Sequence, residues 1–322
     1  MRKILAFLSV VLLLSSCSSD DQPALKRVTY VAGIARETSD GNDRAALWKD
    51  GVVQYLTPAN RVGEAYDVLI NGKDVHVVGF ESNANGINEA RHWKNGVNQT
   101  LNINTTVPTY ALDMCLYNGD LYVLGRVGGA VKYWKNGVLN DLANMPSGVG
   151  TEGIFVTSYG VYVSFIENGL IKVWHDGVIN TLSNGQSLDR LRGFYVSGAD
   201  VYVLADESKD AIHKIKYWKN GVVHYLPNLS NAVQSSYITV VKGNVYIAGM
   251  DNYVVKYWVN GKPVKLNDPN GMVWGLSVFK GDVYAVGTVD LDFKIWENGK
   301  DMKKVSNTAY ENPYDIAVAE EK

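Results

Sequence analysis

Three aspartates occupy one position of an internal repeat and could together supply oxygen ligands to a cation. They are Asp67, Asp113 and Asp315, and the repeat places them on consecutive units. Carboxylate oxygens are ligands that Ca²⁺ prefers, so these residues predict a calcium site or a site for a cationic group of a ligand. In the alternative, each aspartate accepts a backbone N–H group where its strand begins.

A second set of residues, one position earlier in the repeat, could bind a sugar or a peptide. Trp274, Tyr314 and Tyr66 hold this position in three neighbouring units, and aromatic rings offer stacking faces to such ligands. Glu152 and Arg192 hold the same position in two other units. We predict a ligand site formed by these five residues. In the alternative, the aromatic rings only pack between the repeats.

Sequence motifs of known enzymes are missing. The chain contains no HExxH, GxSxG or phosphate-loop motif and no cysteine–histidine set with metal-ligand spacing. Its five histidines are scattered, and Cys115 lies between apolar residues of a strand. We therefore expect a protein without catalytic activity, and without a cofactor other than the calcium ion considered above.

The elements that would position these residues recur about every 41 residues. The heptapeptide KYWKNGV occurs twice, and looser copies bring the number of units to seven. This period is typical of a propeller blade built from four short strands. The tryptophans that mark the units are Trp48, Trp93, Trp134, Trp174, Trp218, Trp258 and Trp296.

Each unit is predicted to contain four strands, here called a, b, c and d. Apolar residues alternate along strands a and b, as half-buried strands require. An Asn-Gly or Asp-Gly pair between strands c and d favours a two-residue type I′ turn, because both turn residues need positive φ. A glycine follows strand b in five units, at Gly33, Gly79, Gly125, Gly249 and Gly287.

The two ends of the repeat predict a closed ring. The first unit starts at strand b (RVTYVAG) and lacks strand a, whereas the tail PYDIAVAEEK matches strand a. Closure by one C-terminal strand leaves no incomplete blade at the end. We predict an all-β, seven-bladed β-propeller over residues 27–322, in which the C-terminal strand a joins the N-terminal strands b, c and d.

The order of strands resembles the kelch type of β-propeller, in which a strand ending in glycine precedes a strand ending in an aromatic residue. It is also similar to bacterial repeat proteins with units such as DVYVAG followed by YWKNG. The repeats have a single glycine where kelch repeats have a recurring Gly-Gly doublet. The resemblance covers residues 27–319 and implies the fold, but no activity, because propellers include binding proteins, scaffolds and enzymes.

The N-terminus is typical of a secreted protein. Two basic residues precede an apolar run over residues 4–14, which predicts a signal peptide over residues 1–16. The following LSSC segment resembles the lipobox of bacterial lipoproteins, which implies that Cys17 carries the lipid. Ser18 after the cysteine implies an outer-membrane location, and the acidic SSDD stretch resembles tags for export to the cell surface. Residues 17–26 are predicted to be the tether; in the alternative, Cys17 is incidental.

Charge excludes one class of partner. The chain without its signal peptide has 29 basic and 33 acidic residues, a formal charge of −4. A basic surface for nucleic acid is therefore not expected. Membrane contact is expected through the lipid alone.

Binding is expected where the repeats differ, because variable loops on a rigid scaffold commonly carry binding sites. The variable segments are ARETSDGNDRA, FESNANGINEA, ADESKDAIHK, LNINTTVPTYA and LSNGQSLDRLR. We predict a noncatalytic, lipid-anchored propeller that binds an extracellular glycan or protein through this face. The alternatives are a propeller-type glycan hydrolase or lyase with acids near the channel mouth, and an assembly scaffold.

Overall fold

A computed structural model describes residues 25–322, apart from residue 100, residues 102–105, residue 291 and residues 306–308. The predicted signal peptide and the predicted lipidation site Cys17 lie outside the described residues. The first strand begins at Lys26, the last residue of the predicted tether. Within the described part of the chain, no helix has the length and apolar character needed to cross a membrane.

Seven antiparallel sheets of four strands form the structure, as the repeat predicts. Blades 1 to 4, each given from the innermost to the outermost strand, are β28 (Tyr310–Glu321), β1 (Lys26–Arg36), β2 (Arg44–Lys49) and β3 (Val52–Tyr55); β4 (Gly63–Asn71), β5 (Asp74–Ser82), β6 (Asn88–Lys94) and β7 (Val97–Gln99); β8 (Thr109–Tyr117), β9 (Asp120–Val127), β10 (Ala130–Lys135) and β11 (Val138–Asp141); and β12 (Gly150–Thr157), β13 (Gly160–Glu167), β14 (Leu170–His175) and β15 (Val178–Thr181). Blades 5 to 7 are β16 (Leu188–Ser197), β17 (Asp200–Lys209), β18 (Ile212–Lys219) and β19 (Val222–Tyr225); β20 (Val233–Val241), β21 (Asn244–Asp251), β22 (Val254–Val259) and β23 (Lys262–Pro269); and β24 (Gly271–Phe279), β25 (Asp282–Val289), β26 (Asp292–Glu297) and β27 (Lys300–Lys304).

The innermost strands form a closed ring around a central channel. Each contacts the innermost strand of the next blade, in the order β28, β4, β8, β12, β16, β20, β24 and back to β28. The C-terminal strand β28 pairs with β1 from Lys26 opposite Glu321 to Arg36 opposite Tyr310. The predicted seven-bladed fold, with a ring closed by the C-terminal strand, is confirmed.

The core is divided into seven apolar clusters, one between each pair of neighbouring blades. Every cluster contains one of the seven motif tryptophans, and each of these is at most 5% exposed. Burial of large apolar side chains stabilises a fold by about 1.5–3 kcal/mol per residue. The repeated tryptophans therefore hold blades together and are not available to a ligand.

The turns between strands c and d have the predicted geometry. In blade 3, Asn136 and Gly137 have φ of 48° and 82°, as a type I′ turn requires. The Asn136 side chain also has a role that the turn propensity does not predict, since its Oδ1 accepts the Leu121 N–H at 2.9 Å. The turn residue thus fixes the start of strand b as well as the turn.

Candidate functional site

Each innermost strand contains one β-bulge at the same position. In blade 2, Ala65 lies opposite Gly79 and Asp67 lies opposite Val78, so Tyr66 has no partner across the sheet. The same register shift occurs in the other six blades. The unpaired residues are Tyr66, Leu112, Glu152, Arg192, Ser236, Trp274 and Tyr314.

The bulges bring two positions of the repeat into one cavity. In a regular strand, neighbouring residues point to opposite faces, but a bulge leaves an extra residue on the bulged strand and re-aims side chains. A cavity of about 220 Å³ at the mouth of the central channel is lined by all seven unpaired residues. It is also lined by Asp67, Asp113 and Asp315. The structure therefore brings together all eight residues that the sequence singles out for ligand or metal binding.

In five blades, a glycine within strand b lies opposite the residue that precedes the bulge. A Cβ atom at Gly79 would collide with the backbone carbonyl oxygen of Glu64 in the bulged strand. Gly33, Gly125, Gly249 and Gly287 face the corresponding carbonyl oxygens of Asn312, Tyr110, Gln234 and Met272 in their blades. The close approach of the bulged backbone thus accounts for glycine in these five blades, whereas blades 4 and 5 form the bulge with Phe165 and Ala205 at this position.

Aromatic side chains from blades 7, 1 and 2 form one side of the cavity. The rings of Tyr66 and Tyr314 lie 5.7 Å apart between centroids. The Tyr314 hydroxyl donates to Glu64 Oε2 at 3.1 Å. Burial raises the pKa of Tyr66 and of Tyr314, and the negative charge of Glu64 raises both further. Trp274 Nε1 donates to Thr288 Oγ1 at 3.4 Å. These hydrogen bonds fix the rings, which stay partly exposed along the cavity.

Arg192 on blade 5 lines the side of the cavity opposite the aromatic rings and carries a positive charge. Its Nε donates to Asp206 Oδ2 at 2.7 Å. Asp206 Oδ1 in turn accepts the Ser235 N–H at 2.9 Å and the Ser235 hydroxyl at 2.6 Å. The guanidinium is therefore held through its inner nitrogen by blades 5 and 6. Its terminal nitrogens form no hydrogen bond within the described residues and remain for a ligand.

Glu152 on blade 4 lines the same side of the cavity as Arg192 and contributes a carboxyl group. Its side chain is accessible to solvent, but the channel walls surround it. Removal of bulk water around the carboxylate raises the pKa of Glu152 to about 7, although the positive charge of Arg192 acts in the opposite direction. Glu152 can therefore donate or accept a hydrogen bond near neutral pH.

The three aspartates connect neighbouring blades. Asp315 of blade 1 accepts the Val68 N–H of blade 2 at 3.3 Å, and Asp67 of blade 2 accepts the Met114 N–H of blade 3 at 2.8 Å. Asp113 accepts the Ile154 N–H of blade 4 at 2.6 Å. Each aspartate thus binds a backbone N–H group of the next blade. Asp67 and Asp315 also interact with the N–H group of the residue that follows them, which is the own-strand partner of the sequence-based alternative.

Burial raises the pKa of Asp67, Asp113 and Asp315. The negative charge of Asp67 further raises the pKa of Asp113 and Asp315. A raised pKa favours the neutral form of a carboxyl group, which attracts a cation less strongly. Among the residues that the structure describes, no group of three or more histidine, cysteine, aspartate or glutamate side chains is placed to hold a metal ion. The geometry gives the predicted calcium site no support.

A second cavity of about 800 Å³ continues along the channel below the mouth. The two cavities share Asp67, Asp113, Phe155, Tyr237 and Asp315. These residues form the floor of the mouth cavity. A ligand in the mouth would therefore meet aromatic rings on one side, Glu152 and Arg192 on the other, and carboxyl groups below.

The sequence misses several residues that hold this site. Glu64 fixes Tyr314, and Asp206 fixes Arg192, but neither belongs to the two repeat positions that attract attention. Glu64 lies two residues before Tyr66 on the same strand, and this spacing is the only feature of the sequence that points to Glu64. No feature of the sequence points to Asp206, because its contact with Ser235 joins residues of two different blades.

Comparison with known proteins places the chain in one structural class, the seven-bladed β-propellers. No protein-family model matches the chain, and no curated protein matches it. The resemblance to kelch repeats therefore stays a prediction. A likeness to solved structures is found throughout the propeller body, and at these low sequence identities it shows the fold alone.

Three solved structures illustrate the likeness. The computationally designed protein Ika8 has 15% identity and a TM-score of 0.52, with 88% of this chain and 90% of that chain covered. The propeller domain of the Trilobed protease from Pyrococcus furiosus, described as having an open velcro topology, has 12% identity and a TM-score of 0.55, with 87% and 95% covered. A puromycin-hydrolyzing peptidase of Mycobacterium tuberculosis has 10% identity and a TM-score of 0.58, with 88% of this chain and 53% of that chain covered.

Proposed function

We propose that the protein is a noncatalytic binding propeller of the cell envelope and that it binds a glycan at the channel mouth. The observation that carries this proposal is the mouth cavity, in which aromatic rings of three blades face Glu152 and Arg192. Sugars present apolar faces for stacking and hydroxyl groups for hydrogen bonds, and this lining offers partners for both. A protein ligand, the other class expected from the sequence, could reach the cavity only with a terminus or a projecting side chain.

A second candidate function, a glycan hydrolase, is favoured by one observation. The pKa of Glu152 is raised to about 7, which suits a general acid, and further carboxyl groups lie in the same cavity. Glycosidases of the usual kind need a second carboxyl group as base or nucleophile. Backbone N–H groups of neighbouring blades already bind Asp67, Asp113 and Asp315, so these residues suit this role less well.

The lipid anchor is part of the proposal. The lipobox-like LSSC segment supports lipid attachment at Cys17, and eight residues separate Cys17 from β1 at Lys26. An outer-membrane location would let the loop face reach extracellular ligands. Labelling of the bacterial protein with a fatty-acid analogue tests the anchor: the label should be present in the natural chain and absent from Cys17→Ala.

Replacement of Trp274 tests ligand binding. Trp274→Ala should weaken binding to any glycan that the natural protein captures from a glycan array by at least about tenfold, because a stacking face is lost. Tyr159→Ala is the matched control, since Tyr159 is an exposed aromatic residue in the turn between β12 and β13, outside the channel mouth. Titration calorimetry measures both variants, and equal affinities would contradict the proposal. Release of a reducing end during the same titration would favour the hydrolase.

A further inference from the structure

The carboxyl groups at the channel mouth have no basic partner. Four of them line the mouth cavity, namely Asp67, Asp113, Glu152 and Asp315. The three aspartates accept backbone N–H groups, and none of the four carboxyl groups forms an ion pair within the described residues. Arg192 lines the same cavity, but Asp206 already binds its Nε. The mouth cavity therefore has an excess of acidic groups.

Two buried aspartates elsewhere in the chain do have a basic partner. Asp189 and Asp251 are at least nine-tenths buried. Lys216 Nζ lies 2.9 Å from Asp189, and Lys256 Nζ lies 2.6 Å from Asp251. A buried carboxylate without such a partner is costly, because it loses its hydration and gains no opposite charge. The mouth cavity thus lacks the kind of cation that accompanies Asp189 and Asp251.

Two polar atoms at the mouth have no hydrogen-bond partner. Asp315 is 8% exposed, and its Oδ2 accepts the Val68 N–H, but its Oδ1 is buried without a partner in the described part of the chain. Asp315 lines both the mouth cavity and the channel below it. Ser236 Oγ of blade 6 is also buried and unpaired at this mouth. Because buried polar atoms are normally hydrogen-bonded, these two atoms indicate a polar ligand.

Aromatic faces lie next to the carboxyl groups. Tyr66 directly precedes Asp67 in blade 2. Tyr314 directly precedes Asp315 in blade 1, and both pairs line the mouth cavity together with Trp274 of blade 7. The face of an aromatic ring attracts a cation within about 6 Å of the ring centroid. Rings beside carboxyl groups are suitable surroundings for an ammonium group.

An ammonium group fits this cavity better than a metal ion does. Ca²⁺ needs about six to eight oxygen ligands that converge on one point, and the described residues show no such cluster. An ammonium group instead donates three hydrogen bonds, which separate carboxyl groups can accept. The cationic ligand group considered from the sequence is therefore favoured over the calcium ion.

The same geometry favours an amino sugar over a lysine side chain. The amino group of an amino sugar is bonded directly to the sugar ring, so the stacking face and the charge enter the cavity together. A lysine has its charge at the end of a flexible four-carbon stem and has no ring to stack on Trp274. The cavity of about 220 Å³ is also smaller than the roughly 300–1,000 Å³ of pockets for drug-sized ligands, which suits one terminal sugar unit.

We propose that the mouth cavity binds a terminal sugar unit that carries a free amino group. The ammonium group lies beside Asp315 and Asp67, and the sugar ring stacks on Trp274. Hydroxyl groups of the sugar bind Glu152 and Arg192. This inference rests on the proposed glycan-binding function and names the class of glycan, one that ends in a hexosamine without an acetyl group.

Titration of the full-length protein with matched tetrasaccharides tests the ligand class. The probes are tetramers of glucosamine, of N-acetylglucosamine and of glucose with the same linkage, which differ only in the substituent on the second ring carbon. Calorimetry at about pH 6, below the pKa of an α-amino group, keeps the amino sugar charged. We expect the glucosamine tetramer to bind about tenfold more tightly than either of the other two.

Tetralysine is the control for charge alone. It carries a similar positive charge but no sugar ring, so it reports unspecific attraction to the acidic chain. It should bind about tenfold less tightly than the glucosamine tetramer. Equal or tighter binding of tetralysine, of the acetylated tetramer or of the glucose tetramer overturns the inference, as does a lack of binding of the glucosamine tetramer.

Asp315→Asn tests the carboxyl groups. Asparagine keeps an oxygen for the Val68 N–H but removes the negative charge. The variant should bind the glucosamine tetramer about tenfold less tightly and the glucose tetramer as before. Asp210→Asn is the matched control, because Asp210 is exposed in the turn between β17 and β18 and its φ of 50° suits asparagine. Equal losses in the two variants would mean that only the overall charge matters, and would overturn the inference.

Asp67→Asn repeats the test away from the strand that closes the ring. Asp67 lies in β4 and accepts the Met114 N–H, which the asparagine oxygen can also accept. The loss for the glucosamine tetramer should again be about tenfold, and melting curves verify that each variant is folded. Unchanged affinity in a folded variant of Asp67 or of Asp315 overturns the inference.

Failure of this inference differs from failure of the proposed function. If Trp274→Ala weakens binding of a captured glycan but the amino group brings no preference, the mouth binds glycans and only this inference fails. If no glycan is captured from the array and no tetramer binds, the proposed function fails as well.

Discussion

Glu152 shows how a single residue acquires its properties from the ring. On an isolated strand its carboxylate would be hydrated and acidic, but the seven inner strands surround it with protein. The pKa rises to about 7, and the nearby Arg192 only moderates this shift. Because Glu152 changes its charge near neutral pH, the affinity of a ligand that forms a hydrogen bond with Glu152 would depend on pH in this range.

The pH dependence of stability should reveal this group. A carboxyl group with a raised pKa in the native state loses favourable free energy as pH rises from the unfolded value, about 4.5, through about 7. Glu152→Gln should therefore gain in melting temperature relative to the natural protein between about pH 5 and about pH 8. Asp40→Asn, in an exposed loop, is the control. A constant difference between Glu152→Gln and the natural protein at both pH values would contradict the raised pKa.

Alignment of the repeats predicts which residues meet at the channel mouth, because a closed ring brings equivalent positions together. Alternation along a strand, however, would put Tyr66 and Asp67 on opposite faces. The bulge that places both in the same cavity depends on backbone geometry, which periodicity does not reveal. The partners Glu64 and Asp206 were missed because they stabilise the site from other positions of the repeat.

At the scale of the strand, the bulge in five blades packs closely against a glycine of strand b. Gly79→Ala should destabilise the protein by at least about 2 kcal/mol, because the new Cβ would collide with the Glu64 carbonyl oxygen and the bulged strand would have to shift. Gly129→Ala is the matched control, since a Cβ atom there has no neighbour within 4 Å. Urea denaturation measures both variants. Similar small losses would show that blade 2 can accommodate a Cβ atom opposite its bulge, as blades 4 and 5 do at Phe165 and Ala205.

Blade 2 differs from its neighbours in a buried histidine pair. His76 Nδ1 and His92 Nε2 lie 2.9 Å apart, and the rings are stacked. Burial lowers the pKa of His76, and burial together with the charge of His76 lowers the pKa of His92 to about 4. The native state therefore keeps both rings neutral, and the free energy of unfolding falls as pH drops from about 6.5 towards 4.

Tyrosines at these two positions should remove that acid sensitivity. Blades 3 and 5 have tyrosine pairs there, with ring centroids 6.2 Å and 6.5 Å apart. His76→Tyr combined with His92→Tyr should lose less stability than the natural protein between about pH 7 and about pH 5. The exposed His213→Tyr serves as control. Urea midpoints at the two pH values measure the effect, and an equal loss in the double variant and the natural protein would mean that other groups cause it.

At the scale of the whole molecule, the ring depends on one seam. The fold was predictable because the period counts the blades and because the tail matches the strand that the first unit lacks. The three aspartate connections, which join blades 1 to 4, were not predictable in the same way, since each N–H group that an aspartate accepts belongs to the next blade. Asp315 thus connects blade 1 to blade 2 in addition to the pairing of β28 with β1.

Two variants test this closure. Deletion of residues 312–322 removes most of β28, including the buried Ile316 and Val318, and should lower the melting temperature by at least about 10 °C. In a circular permutant, an Asn-Gly linker takes the place of Lys322 and Leu25 and connects Glu321 to Lys26, its partner in the sheet. The new termini lie in the exposed connection at residues 58–60. This variant keeps every strand and turns the seam into an ordinary hairpin, so it should melt within a few degrees of the natural protein or above it. Calorimetry measures both. If the deletion melts like the natural protein, closure by the C-terminal strand does not stabilise the ring; if the permutant fails to fold, the order in which the chain enters the ring matters as well as the contacts that close it.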